Sequence, residues 1–402
     1  MRPFDGRRIL LGVTGGIASY KSAWLARLLT QAGAEVDVVL TKSAREFIGA
    51  VTFEALTGRP VHSQLVQEGH ALDHIRLARA AQLVVAAPAT ADFLARAASG
   101  QSGDLLTACL LAGDAPVLLV PAMNDHMWAH RQTVLNVAHL RSLGYTVLEP
   151  ETGALAGPSE GAGAGRMPAP EAIMAHAGRM LEPRGGIAGK RVVVTAGPTR
   201  EAIDPVRFLS NHSSGKMGIA LAAAAWRRGA AVTLVAGPLL VPLPIGPVAR
   251  HVVSTGDMDA AVREELATAD ALIMAAAPAD FRPAAVALAK IKKGGRAPAV
   301  ELEYTPDILK GSRDVRRPGT IVVGFALETD DVIAHATKKL SEKELDLIVV
   351  NDAREAGAGF GGDTNRVTLL AHGAAPEALP LLSKAEVADA ILDRVEALLV
   401  GR

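Results

Sequence analysis

The stretch Arg8-Ile-Leu-Leu-Gly-Val-Thr-Gly-Gly16 sets the architecture, together with a second one like it, Arg191-Val-Val-Val-Thr-Ala-Gly-Pro-Thr199. Each is a short apolar run that stops at small, turn-forming residues, the pattern of a strand buried on both faces. Each is followed by a small-residue segment of helical length, 18–31 and 215–228, and then by a second expected strand, 35–40 and 231–235. Strand, helix and strand, occurring twice, predict two parallel α/β units. Further strands are expected at 83–87 and 116–120 in the first half, and at 271–274, 320–324 and 345–350 in the second. A helix over 384–399, with apolar residues at helical spacing, closes the chain. Glu182-Pro-Arg-Gly-Gly186 reads as the boundary, which places the domains at 1–189 and 190–402. Both are expected to be doubly wound, mostly parallel, three-layer α/β folds.

Composition narrows the function. The 402 residues hold 42 basic and 42 acidic side chains, so no net positive field draws nucleic acid or an anionic membrane. Hydrophobic residues make up 49%, enough for a sizeable core, but aromatics only 3%, so that core is aliphatic. The single cysteine, Cys109, excludes an intramolecular disulfide and a four-cysteine metal site, and its apolar neighbours predict a buried thiol. No apolar run approaches the ~18 residues of a membrane span. A cytoplasmic enzyme or binding protein for small molecules is expected. The glycine-, alanine- and proline-rich segment 153–170 is expected to form neither helix nor strand and to be either a functional lid or disordered. Segments 238–247 and 290–298 are further candidates for mobile loops, the second carrying Lys290-Ile-Lys-Lys293.

The chemistry-bearing motifs fall where open α/β sheets bind ligands, just past the carboxyl ends of strands. In the first half they are Gly12-Val-Thr-Gly-Gly-Ile-Ala-Ser-Tyr-Lys21, Thr41-Lys-Ser-Ala-Arg-Glu-Phe47, Ala86-Ala-Pro-Ala-Thr-Ala91 and Pro121-Ala-Met-Asn-Asp-His-Met-Trp128. The glycine turn is neither Gly-x-Gly-x-x-Gly nor a P-loop, which disfavours a nicotinamide dehydrogenase and a P-loop nucleotide site. In the second half Ser210-Asn-His-Ser-Ser-Gly-Lys-Met-Gly218 opens a helix with residues suited to capping and to phosphate approach.

With these motifs the first half resembles the flavin-dependent cysteine decarboxylase family. The whole chain resembles the bifunctional phosphopantothenoylcysteine decarboxylase / phosphopantothenate–cysteine ligase family of coenzyme A synthesis. The resemblance implies a flavoprotein-like N-terminal domain and a Rossmann-like C-terminal domain. It implies FMN, with Gly15, Ser19, Thr41 and Thr90 at its phosphate and ribityl chain. His74, in Leu72-Asp-His-Ile-Arg-Leu77, matches the family's active-site histidine, and Asn124 the asparagine that orients the substrate carboxylate. Three departures stand out. The flap Gly153-Ala-Leu-Ala-Gly-Pro-Ser-Glu-Gly-Ala-Gly-Ala-Gly-Arg-Met167 lacks the family's acid, a cysteine, leaving Gly157 or Ser159 in its place. Asp92 replaces an asparagine, and Gly103-Asp104 replaces an Asp-Asp pair. Glu160 or water is then the expected proton source.

For the second half the resemblance implies CTP as substrate, an acyl-cytidylate intermediate, and Mg²⁺ carried on the nucleotide's phosphates. Asn211 matches a contact to the intermediate, Arg207 a residue of the second half-reaction, and Lys290 the catalytic lysine of a mobile loop. Ala277, Asp280, Pro306, Asp307, Ile308, Leu309, Phe325, Lys339 and Lys343 match nucleotide contacts. Asn351-Asp352 and Phe360-Gly-Gly-Asp-Thr-Asn365 read as structural or subunit-pairing. The implied partners are 4′-phosphopantothenate, cysteine and CTP, in a homo-oligomer with trimeric flavin halves and dimeric ligase halves. One alternative keeps only the ligase active because the flap cysteine is missing. Another, a regulatory binding protein, is disfavoured by the lack of a long acidic tail.

Overall fold

The computed structural model describes residues 2–66, 68–157, 160–293, 299–328, 332–352 and 361–401. The chain divides into two compact units, Met1–Glu182 and Pro183–Arg402.

In the first unit the strands are β1 (Arg8–Val13), β2 (Glu35–Leu40), β3 (Val61–His62), β4 (Leu83–Ala89), β5 (Val117–Pro121) and β6 (Thr146–Val147). They form one sheet in the order β3-β2-β1-β4-β5-β6, and every pairing is parallel. The helices between and after them are α1 (Ser19–Gln31), α2 (Ala50–Thr57), α3 (Asp73–Ala80), α4 (Ala91–Ala98), α5 (Leu105–Ala112), α6 (Asp125–Ala129), α7 (Arg131–Ser142) and α8 (Pro170–Leu181). Alternate strand residues face opposite layers. Ile9, Leu11 and Val13 pack with Leu25 and Leu29 of α1 and Ile173 of α8, while Leu10 packs on the other face with Leu77 of α3 and Leu106 of α5. Each fully buried aliphatic side chain contributes about 1.5–3 kcal/mol against leaving it exposed.

The second unit repeats the order. Its strands are β9 (Arg191–Ala196), β10 (Arg200–Ala202), β11 (Phe208–Ser210), β12 (Ala231–Ala236), β13 (Val248–His251), β14 (Ala271–Met274), β15 (Phe281–Pro283), β16 (Leu302–Tyr304), β17 (Ile321–Glu328), β18 (Leu347–Asp352), β19 (Thr364–Asn365), β20 (Thr368–Ala371) and β21 (Glu377–Ala378). The main sheet runs β13-β12-β9-β14-β17-β18-β20-β21, parallel except for the last two pairings. Its helices are α9 (Lys216–Arg227), α10 (Thr255–Leu266), α11 (Ile308–Gly311), α12 (Val332–Glu342) and α13 (Lys384–Val400). The hairpins β10–β11 and β15–β16 stand apart from that sheet. In both units the chain reverses direction across the sheet, between β1 and β4 and between β9 and β14. Loops diverge at such a point and leave a crevice at the strands' carboxyl ends.

One expectation is corrected. Segment 153–170 is not wholly irregular: β7 (Glu151–Ala154) and β8 (Ala162–Arg166) pair as an antiparallel hairpin. Low strand propensity is outweighed by tertiary fit. Met123 N donates to Gly165 O at 3.0 Å, and a Cβ on Gly165 would lie 2.2 Å from Met123 O. A Cβ on Gly163 would lie 2.4 Å from the Asp125 carboxylate. The small residues are what let this strand lie against residues 123–125. Cys109 is buried at 1% exposure on α5, and burial pushes its thiol pKa up to about 12.

Candidate active sites

The first cavity, about 520 Å³, opens at the tips of β1, β4 and β5. Gly15 and Gly16 form one edge, Thr90 and Ala91 a second, Met123 and Asn124 a third, and the β7–β8 hairpin with Met167 closes over them. Gly15 is required by close approach, since a Cβ there would fall 2.3 Å from Ser43 Cβ. The backbone N–H groups of Gly15, Gly16, Ile17 and Ala18 find no acceptor among the described residues, so the turn offers free donors ahead of α1. Thr90 caps α4, its hydroxyl accepting from Phe93 N at 3.3 Å.

Glu160 and Asn124 meet inside this cavity. Asn124 Nδ2 donates to Glu160 Oε1 at 3.3 Å, and Gly157 N donates to Oε2 at 2.9 Å. Two cations missed in the sequence also line it, Lys21 and Arg166. Lys21 Nζ donates to Met167 O at 2.5 Å, and burial, then the charge of Arg166, lower its pKa. The sequence signal was present in Lys21, in the first turn of the helix that follows the glycines.

The other expected residues lie near or apart. Ser19 is fully buried, its hydroxyl donating to Gly16 O at 2.7 Å. Thr41 Oγ1 accepts from Ala44 N at 3.3 Å. Neither is among the residues lining the cavity. His74 begins near the start of α3, on the sheet face opposite α1, with a buried Nδ1 that has no partner among the described residues. Asp73 beside it accepts from Arg76 Nε at 3.1 Å and contacts the rings of His70 and His62 at 3.0 and 3.3 Å. Two of the departures meet through one side chain: Arg96 donates to Asp92 at 3.0 Å and to Asp104 at 2.7 Å. Ser159 and Phe360 lie outside the described residues.

The second cavity, about 580 Å³, opens where β9 and β14 diverge. It brings together Asn211, Ala277, Asp280 and Phe325 with the N-terminus of α9. Gly197 and Gly215 both take positive φ, +83° and +78°, and a Cβ on Gly215 would meet Leu239 at 2.2 Å. The floor is tied by backbone: Ala277 N donates to Gly197 O at 2.9 Å and Ala276 N to Thr195 Oγ1 at 3.0 Å. Lys216 and Lys384 add two cations that the sequence reading left unassigned. Lys216 Nζ donates to Asp363 Oδ1 at 2.6 Å; burial and then the Lys216 charge lower the pKa of Lys384. Asn351 and Asn365, expected to be structural or subunit-pairing, line the cavity and bond to each other at 3.2 Å.

Lys290, Arg207, Pro306, Asp307, Ile308, Leu309, Lys339 and Lys343 are not among the residues lining this cavity. Ile308 and Leu309 are buried in the core, Asp307 caps α11, and Lys343 Nζ lies 3.0 Å from the Asp307 carboxylate. Lys290 is exposed, on a segment held by Arg207 and Asp204.

Comparison with known proteins follows the same division. Residues 2–180 match the flavoprotein family, and residues 187–399 match the DNA/pantothenate metabolism flavoprotein C-terminal domain. The coenzyme A biosynthesis bifunctional protein CoaBC of Mycobacterium tuberculosis H37Rv is 47% identical over 411 residues, covering 98% of this chain and 97% of that protein. The chain belongs to this bifunctional family. The CoaBC protein of Bacillus subtilis 168 is 44% identical over 400 residues, with 98% of each covered. Among solved structures, the C-terminal domain of a CoaBC protein is 41% identical, with a TM-score of 0.47, over 54% of this chain and all of that one. No helix among the described residues is long and apolar enough to cross a membrane.

Proposed function

We propose that the two cavities divide the family's two reactions: ligation of 4′-phosphopantothenate to cysteine with CTP in the second, and decarboxylation of the product to 4′-phosphopantetheine with FMN in the first. The observation that carries this reading is the partition of the lining. Gly15, Thr90 and Asn124 face one cavity, and Asn211, Ala277, Asp280 and Phe325 the other. Identity to bifunctional relatives along nearly the whole chain favours two working halves over a ligase alone.

The first cavity fits a flavin mononucleotide. Its glycine turn presents unpaired N–H donors, as a phosphate needs, and Met123, Met127 and Met167 offer a polarizable apolar surface for a flat ring. Gly15 and Thr90 would hold the phosphate and ribityl chain, with Ser19 and Thr41 shaping the turn around them. When bound, FMN supplies the reversible two-electron chemistry that lets the substrate carboxylate leave as CO₂. Asn124 orients that carboxylate, being able both to donate and to accept. Glu160, hydrogen-bonded to Asn124, delivers the proton the product carbon needs. His74 enters the site from a neighbouring subunit of a homo-oligomer.

In the second cavity the N-terminus of α9 with Lys216, joined by Lys384 of α13, receives phosphate charge, and Asn211 holds the acyl intermediate while the cysteine amine attacks. Lys290 reaches the developing charge from its loop, with Phe325, Lys339 and Lys343 serving the nucleotide. Mg²⁺ is placed on the triphosphate, whose oxygens are its usual ligands, and no step is routed through it. Absorption spectroscopy and CTP calorimetry on the purified protein, which we expect in the cytoplasm, test the assignment. A yellow flavin band and CTP binding are expected; colourless protein indifferent to CTP overturns it. Asn124→Asp separates the halves, stopping CO₂ release while pyrophosphate release continues.

A further inference from the structure

The basic loop that carries Lys290 is tied to one turn of the chain. Ile203-Asp-Pro-Val-Arg207 joins β10 to β11 and closes with Ile203 N donating to Arg207 O at 2.8 Å. Asp204 sits in this turn with 3% exposure. Its Oδ1 accepts from Val206 N and Arg207 N, both at 2.8 Å. Its Oδ2 accepts from Arg207 Nε at 2.9 Å, from Arg207 Nη2, and from Ile291 N at 3.1 Å. The same guanidinium donates to Ile291 O at 2.8 Å. One ion pair therefore holds both backbone groups of the residue that follows Lys290. A few residues upstream, Ala287 N donates to Ile203 O at 3.0 Å. The Arg207 guanidinium holds the Asp204 carboxyl far below the usual carboxylate range.

The hairpin also reaches the cavity. Beyond the turn, Ser210 Oγ donates to Thr199 O at 2.7 Å, and Asn211 Nδ2 donates to Pro278 O at 2.9 Å while lining the second cavity. One end of β10–β11 grips the lysine loop and the other supplies a cavity wall.

We propose that Asp204 is a positioning residue for ligation: with Arg207 it clamps the backbone at Ile291, setting the point from which Lys290 reaches the cavity wall built around Asn211. Arg207 acts through this clamp and not by touching the nucleotide. The inference rests on the reading of Lys290 as the lysine that meets phosphate charge. A lysine has a long flexible stem, so its reach is defined only if its backbone is. A misplacement of about 1 Å at such a group costs about 100-fold in rate. Asparagine at position 204 keeps the Oδ1 acceptor but turns an NH₂ group toward the Ile291 N–H and the guanidinium, opposing donor to donor.

The test uses the full chain with Asp204→Asn, Lys290→Gln and the double variant. Hydrogen exchange at the Ile291 amide is followed by mass spectrometry, and pyrophosphate release from CTP gives the rate. Asp204→Asn is expected to speed exchange at Ile291 about 10-fold or more and to slow pyrophosphate release about 10- to 100-fold. The double variant is expected to be no slower than Lys290→Gln alone, because coupled residues are not additive. Unchanged exchange, faster exchange with a full rate, or a double variant slower by the product of the two single effects would each overturn the clamp. Should Asp204→Asn fail to fold, Arg207→Lys removes the forked contact and is read in the same two ways. If Lys290→Gln itself keeps the wild-type rate, the reading of Lys290 fails, and the exchange result separates that failure from failure of the clamp.

Discussion

The cavity beside β1 and β4 and the cavity beside β9 and β14 lie at equivalent points of two sheets with the same strand order, yet their linings differ in kind. The first is roofed by a glycine-rich hairpin and presents three methionines, the Glu160 carboxylate and the cations Lys21 and Arg166. The second is walled by a hairpin inserted between β9 and α9 and presents alanines, asparagines, the Asp280 carboxylate and the ammonium groups of Lys216 and Lys384, with one methionine, Met217, in place of three. Parallel topology supplies the crevice in both cases. What projects into it decides whether an apolar ring with a proton donor or a polyphosphate is favoured. In a bifunctional enzyme of coenzyme A biosynthesis, one scaffold thus serves two unlike chemistries.

That contrast can be broken at named residues. The largest effect is expected from Lys290→Gln, which should lower CTP-dependent pyrophosphate release by about 10²–10³-fold, the usual cost of losing a group that stabilises developing charge. The flavin band should be unchanged in the same sample, and a matching loss of flavin would mean the halves are not independent.

Glu160→Gln should lower formation of the saturated thiol by about 10²-fold, in the range of a lost general acid, while ligation continues. Product analysis sharpens this: CO₂ release should outlast formation of the saturated thiol. Equal loss of both would assign Glu160 to substrate binding instead. A smaller effect is expected of Gly15→Ala, which forces a Cβ against Ser43 at about 1–3 kcal/mol. Flavin titration should show affinity about 10- to 100-fold weaker for that much lost binding energy, with CTP binding unaltered. The smallest change concerns Cys109. With its pKa pushed up to about 12 by burial, roughly one thiol in ten thousand is ionised at pH 8, so a thiol reagent should label native protein slowly and unfolded protein at once.

Much of this was legible along the chain. Strand 35–40 was readable to the residue, because Val36, Val38, Val39 and Leu40 outweigh the one buried carboxylate among them, Asp37, in a short segment that follows a helix and its glycine turn. Gly15 and Gly197 marked the crevices, because a Cβ on Gly15 would fall 2.3 Å from Ser43 and Gly197 takes a φ of +83°. The β7–β8 hairpin was not legible: glycine and alanine make up most of its strands, and it is the contact of Gly163 and Gly165 with residues 123–125 that gives β8 a reason to extend. The Asp204–Arg207 grip on Ile291 spans more than eighty positions, and no local pattern announces a contact between one turn and a distant backbone.

The sequence alone determined the two parallel sheets, their helices and the points where they open, because burial periodicity and turn chemistry are local properties. Tertiary structure decided which side chains share a cavity. It joined Glu160 to Asn124, set Lys216 and Lys384 beside Asn211, and tied the Lys290 loop to a hairpin turn, since each depends on backbone paths that meet only after the chain has folded.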